Sequence, residues 1–79
     1  MTTRQALELI VSNQSNPALN YAINYARAAL LMPFDSHEFR VQCLYLVGNL
    51  SHWRANKKFS VTKEQIKEVR NILTKGIES

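Results

Sequence analysis

The chain is poor in the residues that disulfide-bonded, metal-binding or turn-rich folds require. One cysteine, Cys43, stands alone among 79 residues, so no internal disulfide can form and no second thiolate is present at ligand spacing. Two glycines and two prolines leave few turn formers, and no segment alternates apolar and polar residues over a useful length. Strands are therefore not expected. The only histidines, His37 and His52, lie 15 residues apart with no acidic pair or second cysteine at metal-ligand spacing. There is no phosphate-cradling glycine loop and no Gly-Xaa-Ser-Xaa-Gly elbow, and the spacing points Cys43 into a core face. These absences argue against an enzyme, a resident metal or a cofactor. No run of 18 apolar residues occurs, and Met1-Thr2-Thr3-Arg4 leads directly into an amphipathic pattern without the apolar core of a signal peptide. The expectation is a cytoplasmic protein without a membrane partner.

What is present reads as helix. With 46% hydrophobic and 20% charged residues, the composition is that of a globular domain rather than a disordered segment. The expected architecture is all-α: a bundle of four short helices forming one domain over residues 1–79. The most informative stretch places Phe39, Cys43, Leu46, Leu50 and Trp53 at alternating steps of four and three, which lines one face of a central helix over about residues 36–55. Its start is specified by Asp35 as cap, Glu38 three residues later, and Phe34 paired with Phe39 as a hydrophobic staple. The first helix opens at Thr2 with Gln5 reaching back and buries Ala6, Leu7, Leu9 and Ile10. The second opens at Asn16-Pro17 and runs to about Met32, ahead of Pro33. Thr62 and Gln65 box the fourth, Val61 staples to Ile66, and Ile66, Val69, Leu73 and Ile77 form its inner face, with Gly76 marking a frayed end.

Two helices carry more apolar surface than one core needs. On the second, Leu19, Ile23, Ala26 and Leu30 form the core face, widened by Ala22 and Ala29, while Tyr21, Tyr25, Ala28 and Met32 extend it to an apolar arc of about 200°. On the third, Val41, Leu44 and Gly48 lie roughly opposite the core stripe. Either the first and fourth helices cover these groups, or Tyr21, Tyr25, Met32, Val41, Leu44 and Gly48 meet a protein partner, most simply a second copy in a homodimer.

Charge is segregated too. Residues 1–53 hold three basic and three acidic side chains, whereas residues 54–79 hold seven basic and three acidic, so the net charge of +4 arises in the last third. Lys63, Lys67 and Arg70 share one helix face, where like charges repel slightly unless Glu64 and Glu68 or an anionic partner compensates. With a pI near 9.6, the alternative function is nucleic-acid binding, with Arg54, Lys57, Lys58, Lys63, Lys67 and Arg70 on phosphates and Trp53 stacking on a base if exposed. A solvated lysine face is the plainer reading.

The stretch from His37 to Arg54, an apolar helix ending in Trp53-Arg54, is followed by a helix carrying Lys67-Glu68-Val69-Arg70. Together they resemble small helical proteins of tailed phages, including phages of marine cyanobacteria. The resemblance covers about the last half of the chain and implies an origin, and with it a host cytoplasm, rather than an activity.

Overall fold

The computed structural model describes residues 1–13, 16–55 and 61–78, and three of its α-helices, together with the 3₁₀ turn that leads into the other, start where a side chain accepts an orphaned backbone N–H. Helix α1, Thr3–Ser12, is opened by a reciprocal box: Gln5 N–H donates to Thr2 Oγ1 at 3.1 Å and Thr2 N–H donates to Gln5 Oε1 at 2.8 Å. Thr62 and Gln65 repeat the device, with the same two distances, ahead of α4, Lys63–Glu78.

Asn16 caps as its spacing predicts, its Oδ1 accepting from Ala18 N–H at 3.1 Å. The second helix is nonetheless shorter than expected. Pro17–Leu19 form one 3₁₀ turn, and α2 proper is Asn20–Leu30. At its far end Leu31 and Met32 donate three residues back, to Ala28 and Ala29, so the helix tightens and stops before Pro33.

Helix α3, His37–Asn49, departs from expectation at both ends. Its cap is Ser36 rather than Asp35. The Ser36 hydroxyl accepts from Phe39 N–H at 3.2 Å and donates to the Pro33 carbonyl at 2.7 Å, whereas an ionised carboxylate at that position could only accept. With Ser36 as cap, Glu38 falls one residue short of the box position and acts only as first-turn charge. The aromatic staple survives: Phe34 and Phe39 stack with centroids 4.7 Å apart, and Arg4 lies over the Phe34 ring at 5.3 Å.

The C-terminus of α3 lies at Asn49, six residues before the expected Ala55. Beyond it, Trp53 N–H donates to Leu50 O at 3.0 Å, Arg70 Nη2 donates to the same carbonyl, and Arg54 Nη1 donates to Ser51 O at 2.8 Å. Two guanidinium groups thus serve carbonyls that further helix would have used. The tighter turn still delivers Trp53 into the core, where it is 1% exposed.

Each helix packs against two others: α1 against α2 and α4, and α3 against α2 and α4, giving the order α1–α2–α3–α4 around a shared core. That core is Leu7, Ile10, Ile23, Phe39, Leu46, Leu50, Trp53, Val69 and Leu73, with Ala6, Ala22, Ala26 and Ala29 at close approaches. The radius of gyration of 11.4 Å matches the value of about 11.6 Å expected for a compact domain of this length. Among the described residues there is no strand element, and no helix is long and apolar enough to cross a membrane. Gly76 does not mark a frayed end. It lies inside α4 against α3, where an added Cβ would stand 3.0 Å from Cys43 Sγ and 3.6 Å from Phe39 Cε1.

Two outcomes are expected. Leu46→Ala or Leu50→Ala should each cost about 2–5 kcal/mol, a large share of so small a domain's stability, as measured by urea denaturation. Gly76→Ala, which in an open helix would gain up to about 1 kcal/mol, should instead cost about 1–2 kcal/mol. Combined with Cys43→Ala, which removes the sulfur, it should become neutral or stabilising in a double-mutant cycle.

Candidate functional site

The core stripe of α3 is fully used by its neighbours, and much of the apolar surface on its far side is left open to solvent. Leu44 is 56% exposed, Tyr45 is 47% exposed, and a Cβ on Gly48 would find nothing within 4 Å. On α2, Tyr21 is 72% exposed. Tyr25 joins the two helices: it is half-buried against the core, and its ring lies 5.3 Å from that of Tyr45, tilted by 31°. Of the six residues expected to form an interface, Tyr21, Leu44 and Gly48 are therefore open to solvent and Val41 is half-buried. Tyr25 and Met32 are half-buried and already packed on the core. Tyr45 was missed in that set, although it is one residue from Leu44 and within a helical step of Val41 and Gly48. Leu31, at 90% exposure the barest large apolar side chain among the described residues, was also missed, because it follows the last turn of α2 on the Asn24 and Arg27 side.

The second site is concave. The chain leaving α3 faces the first half of α4 across a cleft of about 760 Å³ lined by Trp53, Arg54, Lys63, Ile66, Lys67 and Arg70, with Ser51 and Asn71 at polar positions. Four of the six expected phosphate-contacting side chains, Arg54, Lys63, Lys67 and Arg70, are thus brought together, while Lys57 and Lys58 lie outside the described residues. Helical spacing sets Glu64 and Glu68 on the neighbouring face of α4, and Glu68 Oε1 accepts from the amino group of Met1. Among the described residues no carboxylate lines the cleft or pairs with any of its four cations.

The cleft wall also carries unsatisfied donors. Trp53 Nε1 and Arg70 Nε are buried and have no acceptor among the described residues. An N–H withheld from water without an acceptor costs about 1–3 kcal/mol. Because Trp53 is buried, its ring face is not available for base stacking, which removes that part of the nucleic-acid expectation.

Side chains capable of catalysis are dispersed. His37 and His52 are exposed at opposite ends of the α3 region, and Cys43 is buried between α3 and α4. Burial pushes the Cys43 thiol from 9.0 up to about 11, so it is neutral at physiological pH and a poor nucleophile. Among the described residues no three His, Cys, Asp or Glu side chains come together in a way that could hold a metal ion. Comparison of the chain with protein-family models, curated proteins and solved structures finds no match.

Proposed function

We propose that this protein is non-enzymatic and acts by protein–protein contact, self-associating through the face that α2 and α3 share around the Tyr25–Tyr45 pair. The observation that carries the reading is the exposure of Tyr21, Leu44 and Tyr45 beside the open helical glycine, Gly48. A glycine inside a helix weakens it relative to alanine, and among the described residues nothing uses the space so created at Gly48. A close-approaching helix from a second copy would use it. A stable interface takes about 800 Å² per partner, roughly a sixth of the 5094 Å² surface, so both helices must contribute. The likeness to tailed-phage proteins would set such an assembly in a host cytoplasm.

The expected outcome is a mass above 9.1 kDa in sedimentation at micromolar concentration, with Tyr21→Glu or Leu44→Glu shifting the protein toward monomer while helicity is retained. Gly48→Ala separates the interface from the fold. It should raise the stability of the monomer by about 0.5–1 kcal/mol and at the same time weaken association. A strictly monomeric protein at about 100 μM overturns the reading.

A second reading, auxiliary nucleic-acid binding, is favoured by the gathering of Arg54, Lys63, Lys67 and Arg70 around one cleft without a carboxylate among the described residues. It predicts binding of labelled single- or double-stranded DNA in fluorescence anisotropy at about 50 mM salt. Affinity should fall steeply toward physiological salt, and neutralising Lys63, Lys67 and Arg70 together should flatten the slope by roughly two to three units.

A further inference from the structure

A cleft of about 760 Å³ is of the size that encloses one small molecule, and its lining has two unlike parts. Arg54, Lys63 and Lys67 supply positive charge at the rim, and Lys63, as the first residue of α4, adds the positive end of the helix dipole. Beneath them the accessible edges of the largely buried Trp53 and Ile66, with the exposed Ala55, form a narrow apolar floor, and Ser51 and Asn71 lie beside it as neutral hydrogen-bonding groups. Duplex DNA meeting this region would offer phosphates to the rim and leave the floor empty. An inorganic anion would do the same. A compact molecule that joins a phosphate to a planar ring satisfies both parts.

From this we infer that the cleft between the chain after α3 and the first half of α4 is a binding site for a phosphorylated small molecule of mononucleotide size. The phosphate lies between Lys63 and Lys67, one helical turn apart on α4, and Arg54 across from them. The ring lies over Ile66 at the edge of Trp53. Arg70 acts as a brace, because one of its Nη donors holds the Leu50 carbonyl and so fixes the wall that carries Trp53, while its Nε remains a free donor among the described residues. This site is on α4 and is independent of the face proposed for self-association.

The single tryptophan makes the test direct, since the indole N–H of Trp53 gives one resonance in the full-length chain labelled with ¹⁵N. On titration with adenosine monophosphate at about 50 mM salt, the Trp53 indole signal and backbone amides in 51–55 and 63–71 should shift together and saturate below about 1 mM ligand. Lys63→Gln combined with Lys67→Gln should weaken binding by about tenfold or more and leave the amide dispersion of the fold unchanged. Both side chains are exposed, so this variant also guards against mistaking unfolding for lost binding. Unsaturated shifts, shifts reproduced by sodium sulfate at equal ionic strength, or unchanged affinity in the double variant would each overturn the assignment. Binding of a dT12 single strand without binding of the mononucleotide would overturn it in favour of the extended nucleic-acid reading.

Discussion

Burial of the Phe39–Cys43–Leu46–Leu50–Trp53 stripe between α2 and α4 is the constraint on which the rest of the structure depends. It fixes the rotation of α3 about its axis, and with it which side chains of that helix are buried and which are open. With the stripe inward, Cys43 meets Gly76, the helices approach closely, and the thiol loses its water. Leu44 and Gly48 are then forced outward, because a helix that points one apolar stripe at the core must point the other away from it.

The same requirement sets up the basic cleft. Carried on as straight helix to Ala55, α3 would have moved Arg54 along its own axis. Instead the chain turns after Asn49 with Trp53 still in the core, and the carbonyls of Leu50 and Ser51 are taken by Arg70 and Arg54. Two cations are thereby anchored by their own guanidinium groups on the wall of the cleft, Arg54 across from Lys63 and Lys67 and Arg70 beside them on α4. A structural solution to the end of one helix is also the arrangement that concentrates positive charge. Glu68, meanwhile, is engaged with the Met1 amino group on the adjacent side of α4.

Much of this was legible in the residues themselves, and unevenly. The core stripe of α3, the inner face of α4 at Ile66, Val69 and Leu73, and the Thr2 and Thr62 caps are local patterns read at a fixed helical period, and the structure reproduces them. Asp35 against Ser36 was not resolvable at that level, because both residue types cap and the choice turned on the Pro33 carbonyl needing a donor. The end of α3 was misplaced because its stop signal is the guanidinium of Arg70, 20 residues further along the chain. Gly76 has the usual position of a helix-end glycine in the sequence, and its reason is the sulfur of Cys43 on another helix.

By itself, then, the sequence determined the existence of the four helices, the Thr2 and Thr62 caps and the buried faces, along with the segregation of charge into the last third, since each depends on residues within a turn or two of one another. Only the tertiary structure decided the neighbour order α1–α2–α3–α4, which of two apolar surfaces stayed open, and that Arg54, Lys63, Lys67 and Arg70 surround one cavity instead of lining separate solvated faces. The physical reason is that helical periodicity fixes the direction of a side chain relative to its own axis. The relation between axes is fixed by the packing of distant side chains, such as Cys43 on Gly76 and Arg70 on Leu50, whose pairing no local spacing encodes.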